Sequence, residues 1–399
     1  MRTQINESKR QFYTDYVLVI LILLSAIVGL VGIYLAAPFN NLDTSKSDII
    51  RQISWFFISF AFLTILLKLG TDRLFTVSYV AYGILLVLLV IQVMARYRII
   101  NTSLIPEING AYAWYIIPKV GSFQPSEFMK VMLIFITANI ISKHNKEKED
   151  KSFTSDFILG LKIAKFAIPP LILIVLQPDS GIPIIIVISL VFMFFLSGVR
   201  SEWFIIIFSF AFVAFFGIIF LYYNNPALLN RLFGGNAQSY RLNRFYGWLD
   251  YEKYSGSHGH HLYNAIASIG TAGWTGHPIG SVILQIPEAQ TDFIFAVLAQ
   301  NFGFAGGVSV IILAFALDLR LIWIALKSDL DRERYLLAGA IAMLFFQHTE
   351  NIGMVLGVLP ITGITLPFFS YGGSSILSYM FPFSVAFYMY SEIKHAHKH

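Results

Sequence analysis

Pro287-Glu288-Ala289-Gln290-Thr291-Asp292-Phe293 closes a polar stretch, 224–291, and opens an apolar one that runs to about residue 319. Asp292 stands on that border, and a carboxylate about to enter lipid is costly unless it faces protein or water. Ala296, Ala299, Gly303 and Gly307 fall close to its own face at helical spacing. Such a stripe of small residues is expected to let a neighbouring helix approach and to turn Asp292 inward. An aspartate in that place could equally cap the helix or pair with a cation, and the rest of the chain has to decide between those uses.

Of 399 residues, 56% are hydrophobic and 13% charged, about half the charged share of a soluble domain. The expected fold class is an all-α integral membrane protein. Apolar stretches long enough to cross about 30 Å of hydrocarbon lie near 16–37, 53–69, 75–95, 126–142, 160–177, 182–199, 203–223, 292–319, 335–358 and 372–391, which makes ten transmembrane helices. The first is too long for a signal-peptide core and lacks a small-residue cleavage site, so it reads as a retained span. The absence of cysteine excludes disulfide and thiolate chemistry. The net charge of +5 carries no nucleic-acid message in a membrane chain, where the placement of Lys and Arg matters more than their sum.

With a cytoplasmic N-terminus, Arg2, Lys9, Arg10, Lys68, Arg73, the basic group at 143–165, Arg200, Arg320, Lys327, Arg332, Arg334, Lys394 and Lys398 all fall on one side. The positive-inside rule makes that side the cytoplasm and puts both termini there. The expected organisation is one polytopic domain, 1–399, with a large extracellular loop, 224–291, between the seventh and eighth helices. The charged run at 143–151 reads as a solvated inner loop. Five stretches punctuated by Gly and Pro then face outward, at 109–127, 177–181, 224–292, 360–370 and 371–375.

Chemistry is therefore expected on the outer side. Ser126, Gly181, Asp292 and Ser374 lie there at or near helix N-termini, whose free amides and dipoles favour an anion such as a phosphate or diphosphate. Each motif alone is also ordinary punctuation at a membrane boundary. The run from Pro360 through Gly363, Pro367, Ser370, Tyr371, Gly372, Gly373, Ser374 and Ser375 is apolar yet repeatedly broken. It suggests a re-entrant or interfacial loop, because irregular backbone at membrane depth survives only within protein or beside water. Gln347, His348, Glu350 and Asn351 precede it in an apolar segment and need partners. Ser257-His258-Gly259-His260-His261 has no matching acidic set and reads as exposed rather than as a metal site.

Asn109-Gly110-Ala111 with Trp114, Gln124-Pro125-Ser126-Glu127 with Lys130, Gln177-Pro178-Asp179, Pro287-Glu288 with Thr291-Asp292-Phe293, and Asn351-Ile352-Gly353-Met354 followed by Leu366-Pro367-Phe368 and Ser370-Tyr371-Gly372-Gly373-Ser374-Ser375 together resemble the SEDS family of bacterial cell-wall polymerases. The likeness spans nearly the whole chain, in order and on one membrane side. The neighbourhood of Tyr112 and Trp114 is more similar to the elongation branch, RodA, than to the division branch, FtsW. The chain departs from the family at Gln290, where His is common, at Gln300 and Asn301, where acidic residues are common, and at Ala113 and Ser180.

The resemblance implies a peptidoglycan glycosyltransferase that polymerises lipid II, the undecaprenyl-diphosphate-linked disaccharide peptide, into glycan strands at the outer face of the bacterial cytoplasmic membrane, for cell wall biogenesis, elongation and shape. It implies as partners a class B penicillin-binding protein transpeptidase and the membrane proteins of a cell-shape complex. In the family the aspartate of the Thr-Asp-Phe motif is tied to catalysis, which here is Asp292. The expected substrate-binding set is Trp114, Glu127, Lys130, Lys119, Asn109, Gln124, Asp179, Arg244, Glu288, Thr291, Gln347, Asn351, Ser370, Ser374 and Ser375.

The chemistry suits those residues. An acceptor sugar hydroxyl loses a proton as it attacks, so Asp292 is expected as general base; the helix dipole holds it ionised and burial opposes that. The departing diphosphate needs compensating charge, for which Lys130, Lys119, Arg241 and Arg244 are the outer-side cations. A divalent cation, Mg²⁺ or Mn²⁺, is admissible through that diphosphate, since Mg²⁺ is commonly bound with few protein ligands. Glu127 and Lys130 are spaced to pair on one helix. Two other classes compete: a flippase or transporter of the lipid-linked precursor, for which inverted repeats would be expected, and a non-enzymatic scaffold, which would need no carboxylate at Asp292.

Overall fold

The computed structural model describes residues 12–39, 42–108, 110–118, 121–148, 152–179, 181–233, 236–396. Its helices are α1 (Tyr16–Leu35), α2 (Leu42–Leu69), α3 (Thr71–Arg96), α4 (Pro125–Glu147), α5 (Phe153–Val175), α6 (Gly181–Leu196), α7 (Glu202–Asn224), α8 (Pro226–Phe233), α9 (Asn236–Leu249), α10 (His260–Gly270), α11 (Ile294–Lys327), α12 (Asp331–Val355) and α13 (Gly373–Ala396). A short antiparallel hairpin, β1 (Tyr115–Ile117) and β2 (Gly121–Phe123), sits before α4.

Each of the ten apolar stretches expected from the sequence falls on one of these helices. Among the described residues, seven helices are long and apolar enough to cross a membrane; α6 is shorter, and α12 carries a row of polar side chains. Burial sorts the bundle. Most of α4 is buried, 83% of its most apolar stretch against 0% for α7: α4 is enclosed by α3, α5, α6, α12 and α13, as a helix apolar all round must be. By contrast α7 presents its length outward and is attached at its start by Trp203 stacked on Phe153 and Phe204 on Phe195.

Four polar residues of α12 inside this core each find a partner, as a medium without water favours. Gln347 donates to Tyr379 Oη at 3.0 Å, and His348 meets Asp318 at 2.8 Å. Glu350 accepts from Thr362, and Asn351 donates to two carbonyls. Near the far end of the bundle Arg320 grips Asp15 through two bonds of 2.8 and 2.9 Å, which ties α1 to α11.

Two expectations need correction. The stretch 224–291 is not simply a loop, since it holds α8, α9 and α10. Nor do Ala296, Ala299, Gly303 and Gly307 form one helical stripe. Gly303 has φ 64° and ψ −160°, so α11 is interrupted there. The amides that lose their helical acceptors are taken up by the segment before it, Phe304 N on Gly273 O at 2.9 Å and Ala305 N on Trp274 O at 3.2 Å. A side chain at Gly303 would strike the backbone of Trp274, Thr275 and Gly276. The small residue thus admits a loop and not a helix. Close helix approach occurs instead on α1, where Gly32 lies on Ile294 and Leu298, and a Cβ on Gly29 would stand 2.7 Å from the carbonyls of Phe368 and Phe369.

Candidate active site

The helices α4, α6, α11 and α13 begin at Pro125, Gly181, Ile294 and Gly373, so Ser126, Gly181, Asp292 and Ser374 stand at or beside helix starts as expected. Side chains knit these starts together. Ser374 Oγ accepts from Gln124 N and donates to Ser122 O, both at 3.1 Å. Gln124 Nε2 reaches Asp179 Oδ2 at 3.1 Å, and Asp179 Oδ1 caps α6 by accepting from Ile182 N at 3.3 Å. Asp179 is pushed up to about 6 by burial, against the amides of Ile182 and Gly181 that hold it down.

The turn that carries Asp292 is fastened from three directions. Within it, Glu288 has φ 53° and accepts from Thr291 Oγ1 at 3.1 Å, so the turn is closed by its own acid. Ser370 Oγ donates to Thr291 O at 2.6 Å and Tyr371 N to Gln290 O at 2.9 Å. From α12, Asn351 Nδ2 donates to Asp292 O and to Ile364 O, both at 2.7 Å. The bonds from Ser370, Tyr371 and Asn351 all fall on the main chain of the turn and none on the Asp292 carboxylate.

Arg244, from α9, and Asp292 both approach Gly363. A methyl group there would stand 2.8 Å from Arg244 Nη1 and 3.0 Å from Asp292 Oδ2, and Gly363 has φ +78°; only glycine suits both constraints. Arg244 Nη1 also donates to Thr362 O at 2.9 Å. Burial pushes Asp292 up to about 7; Arg244 pulls it down, and Glu288 and Asp179 push it further up.

Lys130 is held differently from Arg244. It is 1% exposed, forms a 2.6 Å ion pair with Glu127 and lies 4.8 Å over the ring of Tyr379, so its ammonium is engaged in a buried network with Gln347. The spacing of Glu127 and Lys130 did predict their pairing. Trp114 is partly buried on the connection into β1, and among the described residues it makes no hydrogen bond or ring contact with Asp292 or Lys130. Ser375 lies in the first turn of α13, its carbonyl accepting from Ser378 Oγ at 2.8 Å. Asn109 and Lys119 fall outside the described residues, as does the side chain of Arg241.

Three residues near Asp292 stand outside the expected site set. Gln52 on α2 binds the 370–372 segment. Glu350, visible only as a polar residue in an apolar run, holds Thr362 next to Gly363. His261 is half-buried, with its ring 5.9 Å from Phe293, and burial lowers it further from charge; the histidine segment is therefore not uniformly exposed. The departures Gln300 and Asn301 anchor the segment before α11, through Ser281 O at 2.7 Å and Gly280 N at 2.8 Å.

A family described as "Cell cycle protein", covering FtsW, RodA and SpoVE, matches residues 15–396. The chain belongs to that family. It is a multi-pass protein of the bacterial cytoplasmic membrane. "Stage V sporulation protein E" of Bacillus subtilis is 31% identical over 91% of this chain and 93% of its own length. "Probable peptidoglycan glycosyltransferase FtsW" of Lactococcus lactis is 27% identical over 93% of this chain and 91% of its own. A solved structure described as "Structural coordination of polymerization and crosslinking by a peptidoglycan synthase complex" superposes with a TM-score of 0.74 at 26% identity, covering 96% of this chain and 99% of that one.

Proposed function

We infer that this chain is a peptidoglycan glycosyltransferase that polymerises lipid II at the outer face of the membrane. The observation that supports it most is Asp292 set beside Arg244 across Gly363 amid four helix starts. Asp292 takes the proton of the acceptor sugar hydroxyl as that oxygen attacks the anomeric carbon; the bond from that carbon to the diphosphate breaks, and the lipid diphosphate leaves. A base near pH 7 is matched to that task. Arg244 and the amides at the start of α13 supply positive potential for the departing diphosphate. Lys130 acts from further back, holding Glu127 and Tyr379 in place.

Among the described residues no group of three His, Asp or Glu side chains is placed to hold a metal ion. A divalent cation would have to arrive with the diphosphate, and no step here depends on one. A class B penicillin-binding protein is the proposed partner, supported by a structural neighbour described as a synthase complex that couples polymerization to crosslinking.

The branch is a separate matter. The neighbourhood of Tyr112 and Trp114 favours an elongation role, whereas the relatives compared carry division and sporulation names. Depletion and complementation distinguish these: rescue of rod shape supports elongation, and rescue of septation in filaments supports division. The activity itself is tested by incubating purified protein with lipid II, with and without the partner, and resolving glycan polymer. A flippase would yield none while moving lipid II across vesicles, and a scaffold would yield none and move none.

A further inference from the structure

Gln52 lies on α2, far in sequence from every motif that marks the site. It is 1% exposed, and both ends of its amide are spent on one short segment. Nε2 donates to Ser370 O at 3.1 Å, and Oε1 accepts from Gly372 N at 3.2 Å. A glutamine is suited to this because its side chain offers a donor and an acceptor together, whereas an ionised glutamate has no donor and a lysine no acceptor. Trp55, three residues on and so on the same helix face, covers Gly373 so closely that a Cβ there would collide with the indole, and it lies 3.5 Å from the Cβ position of Gly121. Gly373 thus lets α2 approach the segment, and Gln52 locks it.

What that segment holds is the catalytic turn. Ser370 Oγ supports Thr291 O at 2.6 Å, and Tyr371 N supports Gln290 O at 2.9 Å. Both residues immediately before Asp292 hang on the piece of chain that Gln52 grips. We propose that Gln52 is a positioning residue for Asp292, fixing the carboxylate through the main chain of 370–372 without touching substrate. This rests on the glycosyltransferase reading of the site.

The test is a double-mutant cycle on purified full-length protein with lipid II as substrate. Gln52→Met keeps the length and removes both hydrogen bonds. With positioning errors near 1 Å worth about 10²-fold, kcat should fall about 10- to 100-fold while KM stays within about twofold. Gln52→Glu keeps the acceptor for Gly372 N but sets its second oxygen against Ser370 O, so it should lower kcat as well. In an Asp292→Asn background Gln52→Met should cost less than about twofold more, because a residue acting through Asp292 has nothing left to position. A residue that serves only folding would lower the rate by the same factor in both backgrounds, and that result overturns the proposal, as does a wild-type kcat for Gln52→Met. If Gln52→Met does not accumulate as folded protein, Gln52→Glu carries the same comparison. An inactive Asp292→Asn beside a wild-type Gln52→Met defeats this proposal alone, whereas a wild-type Asp292→Asn defeats the reading of the site beneath it.

Discussion

Asn351 donates its side-chain amide to the main-chain carbonyl of Asp292 at 2.7 Å and, from the same nitrogen, to Ile364 O at 2.7 Å. One fully buried residue of α12 thereby joins the turn that carries Asp292 to the 360–375 segment. Asn351→Leu removes both bonds and leaves two carbonyls without their donor, a cost of about 1–3 kcal/mol for each that stays buried. The expected result is a lower unfolding temperature in detergent together with polymerisation reduced about tenfold or more. A variant with unchanged melting and unchanged rate would refute the link.

Gly363→Ala is expected to damage activity more than stability. The new methyl would crowd Arg244 and Asp292, and the residue would have to hold φ +78°, a left-handed conformation that costs roughly 1–2 kcal/mol for a residue with a side chain. Gly217→Ala on α7 is the control, since a Cβ there meets nothing within 4 Å. Lipid II turnover of the two variants at matched membrane abundance checks this, and similar rates would count against the proximity of Arg244 and Asp292.

Lys130→Ala should be far more harmful than Lys143→Ala. The first leaves Glu127 buried without its 2.6 Å partner, a change that costs about 3–5 kcal/mol where an ion pair is enclosed. Lys143 is 75% exposed and 3.8 Å from Glu147, a surface pair of little worth. Abundance of each variant in membranes, followed by polymer yield per folded molecule, separates the two. Equal behaviour would contradict the enclosed network around Lys130.

Polymerisation should rise with pH through the neighbourhood of 7. Burial holds Asp292 up at about 7, so below that pH the carboxyl is mostly protonated and cannot accept a proton; above it the base is free. The expected kcat/KM profile falls about tenfold for each pH unit on the acid side, with its inflection near 7. A profile flat from pH 5 to 8 would show that no group of this kind limits the reaction.

How much of this could be read from the chain depends on the range of the interaction. Helix positions were legible because hydropathy accumulates over a long window, and helix starts at Pro125, Gly181 and Gly373 were marked by local Gly and Pro. The break at Gly303 was not, since Ala296, Ala299, Gly303 and Gly307 keep helical spacing through it and the donors that stabilise it find acceptors at Gly273 and Trp274. Gln52 was equally silent. A single glutamine within a helix carries no periodic signal, and its partners Ser370 and Gly372 lie more than three hundred positions away. Glu350 and His261 differ again: each was visible as a polar or titratable residue, but only the packing of α10 and α12 brings them to the surroundings of Asp292.

The most direct measurement is glycan polymer formed from lipid II by purified Asp292→Asn protein, compared with wild type at equal folded concentration and with the partner present. Asparagine keeps the size and the main-chain bonds from Asn351 but cannot accept a proton, so the rate should fall about 10²- to 10⁴-fold, as for a lost general base, while melting and partner binding remain. Asp292→Glu should retain little activity, because its carboxylate is displaced by about one methylene. Near wild-type polymerisation by the Asn protein would contradict the assignment and move the search for the base to Glu288 or Glu127.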